Sequence, residues 1–99
     1  MVKVALVVRL VARTGKEEEV RAFLEAAEPL ARAEAFTPAW FALRAGKNLF
    51  YIVDAFASGA DRDKHLGGDI AKALMAAGEL LAEPPDIHKA DVLAVKLPG

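Results

Sequence analysis

The segment "LFYIVDAFA", from Leu49 to Ala57, is apolar at both alternating sets of positions. In an extended strand Phe50, Ile52 and Phe56 point one way, while Leu49, Tyr51 and Val53 point the other. "AWFALRA", from Ala39 to Ala45, repeats this, with Trp40 opposed to Phe41 and Leu43. Strands apolar on both faces are normally covered on both. What the rest of the chain can offer as cover therefore decides the architecture.

It offers two helical regions. The first runs from Glu17 to about Ala33, with Val20, Phe23, Leu24, Ala27 and Ala31 as an inward stripe at helical spacing. Thr14-Gly15-Lys16-Glu17 fits a capping box at its start. Glu17, Glu18 and Glu19 read as a solvated first turn favoured by the helix dipole. Pro29 is expected to kink this helix. "RTGKEEE" holds a Gly-Lys pair but lacks the earlier glycine and the Ser/Thr of a phosphate-binding loop.

The second region starts at Ser58, is broken by Gly67-Gly68, and resumes with Asp69 as a cap until about Ala82. Its buried stripe is Leu66, Ile70, Ala73, Leu74, Ala77 and Leu81. A first strand spans Val2 to Ala12, with every even position apolar. Gly46-Lys47-Asn48 is a hairpin turn, and Pro84-Pro85 leads into a last strand from Asp86 to Leu97. The order β-α-β-β-α-β is the ferredoxin-like α+β pattern, with one four-stranded antiparallel sheet.

Four strands at ~4.8 Å spacing make a sheet ~19 Å wide. Two helices, each ~10 Å across, cover one face of it and no more. The second face would expose more apolar surface than the few hundred Å² a monomer tolerates. The expected solution is a homodimer whose two sheets pack face to face.

Ninety-nine residues are expected to form a single domain spanning residues 1–99. The net charge of −1 does not favour nucleic acid or an anionic membrane as partner. With no cysteine, disulfides, thiolate zinc sites and thiol nucleophiles drop out. The apolar runs Val4–Val8 and Leu49–Val53 fall far short of the ~20 residues of a membrane span. Lys3 and Arg9 interrupt anything resembling a signal peptide. The expectation is a soluble cytoplasmic protein.

Two residues break the pattern. Asp54 is an acid inside the apolar third strand. Turned toward the helices, it is a carboxylate suited to proton transfer; the alternative is a structural acid paired with an arginine or with backbone N–H groups. His65 stands just before the Gly-Gly break. It is a candidate general base near Asp54, or else a half-exposed histidine at a helix end. Phe56 shares the parity of Asp54 and is the first candidate for a pocket aromatic, although aromatics are more often core. Arg9 and Arg44 read as ion-pairing residues and His88 as exposed. His65, His88 and Asp54 match no metal-ligand spacing, so no metal site is expected.

With these pieces in hand, the chain resembles the antibiotic biosynthesis monooxygenase domains, which are small dimeric α+β barrels. "VRLVARTGKEEEVRAFLEA" is similar to their first strand and helix, and "YIVDAFASGADRDKHL" to their third strand and following helix. "AKAL" and "LLAEPPDI" fit the approach to the last strand. The resemblance implies a pocket between sheet and helices, and dimerisation through the other sheet face. It implies a cofactor-independent oxidation of a small phenolic or quinol substrate by O₂, with Asp54 and His65 handling protons. Val8, Ile52 and Phe56 would line the cavity, with Arg62 and Trp40 completing the pocket set. The haem-degrading members place an asparagine, a tryptophan and, as iron ligand, a histidine at positions that correspond here to Val8, His65 and about Met75, so haem breakdown is not expected. The proton-handling set of the polycyclic-aromatic oxygenases is replaced by Ile52, Phe56 and Arg62. The alternative is a non-catalytic dimer that binds a small apolar ligand or serves in assembly. The Ala-rich segment Ala71, Ala73, Ala76 and Ala77, which lets helix and sheet approach closely, leans that way.

Overall fold

A computed structural model describes residues 1–98. The chain forms β1 (Val4–Val11), α1 (Glu17–Arg32), β2 (Ala39–Arg44), β3 (Leu49–Phe56), α2 (Gly59–Leu66), α3 (Asp69–Ala76) and β4 (Asp86–Asp91). A single 3₁₀ turn at Gly78–Leu80 follows α3. The sheet order is β2-β3-β1-β4, antiparallel throughout. This is the ferredoxin-like α+β architecture expected from the sequence.

The parity argument holds along the two central strands. Leu6, Val8 and Leu10 of β1, and Phe50, Ile52, Asp54 and Phe56 of β3, are buried under the helices. From α1 come Val20, Leu24, Ala27 and Ala31, one per turn, and from α3 come Ile70 and Leu74. Each large side chain taken out of water here contributes about 1.5–3 kcal/mol. No described helix is long and apolar enough to cross a membrane.

The opposite face carries no helix, and its rows follow from the strand register. Ala39, Ala55, Ala5 and Ala90 form one row across all four strands. Phe41, Val53, Val7 and His88 form the next, and Leu43, Tyr51, Arg9 and Asp86 the one after. Phe41 and Leu43 are about half exposed, at 50% and 47%.

Several local expectations are corrected. The capping box does not form: α1 is capped at Lys16 without a side-chain bond, and Glu17 Oε1 instead accepts from the Gly15 N–H at 2.9 Å. Gly15 has φ 88°, a left-handed turn that carries the chain past Thr14 and leaves its hydroxyl out of the cap. The Ser58 cap does form, with its hydroxyl accepting from the Asp61 N–H at 3.2 Å. At the second start the cap is Gly68, and Asp69 is already the first helical residue. β4 stops at Asp91, not Leu97. Beyond it Leu93, Val95 and Leu97 are all exposed, so an apolar tail continues without a strand partner in its own sheet.

Candidate functional site

The even-parity face of β3 places Asp54 beneath α2 and α3. Asp54 is 1% exposed, in the middle of the sheet between Leu6 of β1 and Trp40 of β2. His65 comes down from the last turn of α2 and is also buried. Its Nε2 lies 2.9 Å from Asp54 Oδ2, but off the N–H direction, so the contact is ionic without being a directed hydrogen bond. Neither Asp54 oxygen has a hydrogen-bond partner among the described residues.

The other ring nitrogen is held tightly. His65 Nδ1–H donates to Glu34 Oε1 at 2.6 Å, a charge-assisted length. Glu34 follows the end of α1, and the Thr37 hydroxyl donates to the same oxygen at 2.9 Å. Two carboxylates thus face one imidazole from opposite sides. Burial is the strongest single influence on His65 and works against its charge, yet Asp54 and Glu34 together outweigh it and raise the pKa above its usual 6.5.

The sign of the linked stability follows. An imidazole held above its unfolded pKa of 6.5 stabilises the fold fully below that pH. The contribution is lost as pH rises through the higher folded value. The thermal midpoint is expected to fall on the alkaline side of pH 6.5, and to do so less steeply in His65→Gln. Scanning calorimetry between pH 6 and 9 checks this. Equal slopes in the two proteins would remove His65 as the cause.

Asp54 and His65 border a cavity of about 140 Å³ between sheet and helices. Its other walls are apolar: Leu6, Val8, Ile52, Leu66, Ile70, Ala71, Leu74, Met75 and Ile87. Larger grooves exist, notably one of about 390 Å³ along β2, but its charged walls of Arg21, Glu25, Glu28 and Arg44 are surface side chains. The smaller cavity differs in that a buried carboxylate, Asp54, meets an apolar space there.

Of the sequence-derived site residues, the fold brings Asp54, His65, Val8 and Ile52 together around this cavity. Three others lie elsewhere. Phe56 is fully buried behind His65, with ring centroids 5.2 Å apart. Arg62 donates from Nη1 to the Ala5 and Ala90 carbonyls, both at 3.3 Å. Trp40 lines the β2 groove, with its indole N–H buried and unpartnered. No group of three or more His, Cys, Asp or Glu side chains is placed to hold a metal ion among the described residues. Sequence reasoning missed Glu34 and Thr37. Their only signal was a Glu-x-x-Thr spacing just past a helix end, which is common on any surface loop.

No family model and no curated protein matches the chain. Among solved structures, NE2512, a protein of unknown function from Nitrosomonas europaea, is 53% identical over 100% of this chain and 97% of its own, with a TM-score of 0.97. The chain belongs to the NE2512 family. Rv0793 from Mycobacterium tuberculosis is 24% identical over 94% of this chain and 97% of its own, with a TM-score of 0.83. A candidate antibiotic biosynthesis monooxygenase from Caulobacter crescentus CB15 is 22% identical over 94% and 92%, with a TM-score of 0.80. At that identity the likeness is one of fold. The NE2512-family chain thus has the antibiotic biosynthesis monooxygenase-like architecture that its sequence resembles.

Proposed function

We propose that this NE2512-family protein is a cofactor-independent monooxygenase of a single-ring phenol or quinol, in which Asp54 takes the phenolic proton. The observation that carries the reading is a buried carboxylate in the wall of an apolar cavity, with Oδ2 paired to His65 and Oδ1 without a hydrogen-bond partner among the described residues. A phenol meets both demands at once. Its hydroxyl donates to Asp54 and its ring fills the apolar space. Size narrows the class: an apolar cavity of ~150 Å³ holds benzene, and this one is about 140 Å³. A single ring matches that volume. The description of fold neighbours from Caulobacter crescentus and Bordetella bronchiseptica as candidate monooxygenases supports the reaction class.

Deprotonation makes the ring carbon para to the oxygen electron-rich. That carbon bonds to O₂ and the O–O bond then breaks. One oxygen stays on the ring as a carbonyl. The other leaves as water, with the ring hydrogen and the proton that Asp54 held. For a phenol the sum is phenol plus O₂ giving para-quinone plus water. In a quinol, whose para carbon already carries oxygen, the free carbon ortho to the phenolate reacts instead, and the sum is quinol plus O₂ giving hydroxyquinone plus water. No further reductant is needed in either case. The protein supplies the base and a space without bulk water.

Oxygen uptake with a panel of single-ring phenols and hydroquinones tests the reading. Wild type is expected to consume O₂ with these and not with naphthols. Ala71→Phe, which fills the cavity from α3, is expected to lower uptake at least tenfold while the fold persists. Uptake indifferent to Ala71→Phe would place the chemistry elsewhere. Saturable binding of 4-fluorophenol with no uptake would mark a non-catalytic ligand-binding protein.

We also infer that the partner is a second copy of this chain, joined through the sheet face without helices. The alanine row permits two sheets to approach closely, and the row of Phe41, Val53 and Val7 beside it is apolar. At ~19 Å across and ~20 Å along six residues, the face measures roughly 400 Å² in plan on each copy. Two such faces approach the ~1,000 Å² at which specific interfaces begin.

A further inference from the structure

We propose that Glu34, which does not touch the cavity, is a positioning residue for the chemistry within it: its carboxylate grips the far nitrogen of His65 and turns the near one onto Asp54. The proposal rests on the oxygenase reading above for its catalytic meaning, and on geometry for its existence.

His65 has one directed hydrogen bond, and Glu34 accepts it. The contact to Asp54 is short but off-line, so Asp54 alone does not fix the ring plane. Glu34 is itself restrained by the Thr37 hydroxyl on the same oxygen and by a turn in which the Thr37 N–H donates to the Glu34 carbonyl at 3.0 Å. Depth increases along the set. Side-chain exposure falls from 11% at Glu34 to 5% at His65 and 1% at Asp54. The anchor stands toward the solvent side and the working carboxylate stands at the cavity.

The Gly-Gly break acquires a reason here. A Cβ on residue 68 would sit 3.0 Å from Glu34 Oε2 and 3.2 Å from the His65 carbonyl oxygen. Gly68 has φ −90°, which any residue adopts, so close approach is the reason for glycine. Gly68 is also the N-cap of α3, and the positive end of that helix favours the Glu34 carboxylate next to it.

The other charges nearby are turned away. Lys64 lies 3.8 Å from Asp61 and over the Phe36 ring, and Arg62 spends itself on the Ala5 and Ala90 carbonyls. The charged groups that face the His65 ring are Asp54 from β3 and Glu34 from the α1–β2 connection. With the His65 ring pinned between them, Asp54 has Oδ1 left for a substrate hydroxyl, and the protonated ring puts a positive charge behind it as the phenolate forms.

The test reads the ring directly. Imidazole ¹⁵N NMR follows both histidines of the full chain, with His88→Gln assigning the second. Glu34→Gln is expected to lower the His65 titration midpoint by at least one unit, a tenfold loss of proton affinity. Gly68→Ala, which pushes on the same carboxylate, is expected to move it the same way, and Thr37→Val to move it less. A role confined to holding the loop would leave the midpoint where it is. If Glu34→Gln does not fold, Gly68→Ala and Thr37→Val decide. A His65 midpoint unchanged in the folded variants overturns the proposal. With an active phenol, the alkaline limb of the pH–rate profile should move to lower pH by the same amount. Absence of any phenol oxidation by wild type would instead strike the oxygenase reading, leaving the NMR result to judge Glu34.

Discussion

Asp54→Asn is expected to cut oxygen uptake with a single-ring phenol by ~10²–10⁴-fold, the span that general-base catalysis contributes. The substitution keeps the shape of the side chain and removes its ability to take a proton. Two opposing effects decide whether the variant stays folded. Losing one partner of a buried ion pair costs up to ~3–5 kcal/mol. Here, however, the Asp54 contact is off-line and Glu34 keeps its own directed bond to His65. Removing the charge of a desolvated carboxylate offsets part of that loss. The net loss should stay below about 3–5 kcal/mol, under the 5–15 kcal/mol of an ordinary domain. Lost activity should therefore come with an unaltered circular dichroism spectrum. Uptake above one third of wild type in a folded Asp54→Asn protein would remove Asp54 as the base. His65→Ala separates the roles further, since it leaves the carboxylate in place while stripping it of the charge behind it.

The legibility of this molecule divides along physical lines. Parity in β1 and β3 was readable because alternation is a local property of an extended chain: Leu6, Val8, Phe50, Ile52 and Phe56 point where their spacing puts them. The same parity grouped Asp54 with Phe50, Ile52 and Phe56 but left open which of the two faces the helices cover. What surrounds Asp54 was not readable. Glu34 is 31 residues from His65 in sequence and meets it only after α1 has crossed the sheet. Its partner was set by tertiary packing, and an acid at a helix end looks like any other. Phe56 and Trp40 show the limit of parity from the other side. Both share the helix-facing side with Asp54, yet one packs behind His65 and the other falls at the β2 groove. Facing the right layer does not place a side chain at the right point within it. The Thr14 capping box failed for a related reason. Its motif was present, but Gly15 in a left-handed turn put the helix start two residues later.

Val53→Asp should turn a dimer into a monomer without disturbing the cavity. Val53 sits on the helix-free face of β3, next to Val7 of β1 and Phe41 of β2. In the lone chain it is half-buried, so a carboxylate there reaches water and costs the monomer about 1 kcal/mol in strand preference. Between two packed sheets the same carboxylate loses its water, and its own row offers only Phe41, Val7 and, at the far strand, His88. An uncompensated buried charge costs several kcal/mol per copy, and every 1.4 kcal/mol is tenfold in affinity. The dissociation constant should rise by more than ~10³-fold. Sedimentation velocity at micromolar concentration gives the comparison: wild type at the mass of two chains, Val53→Asp at the mass of one. A wild-type monomer under those conditions would mean that the face tolerates water after all. A Val53→Asp dimer would move the contact to another surface, such as the exposed Leu93, Val95 and Leu97 beyond β4. Because Asp54, His65 and the cavity lie on the opposite face of the same strands, 4-fluorophenol binding should survive in the monomeric variant. Its loss there would show that the second copy holds the cavity in shape through the sheet.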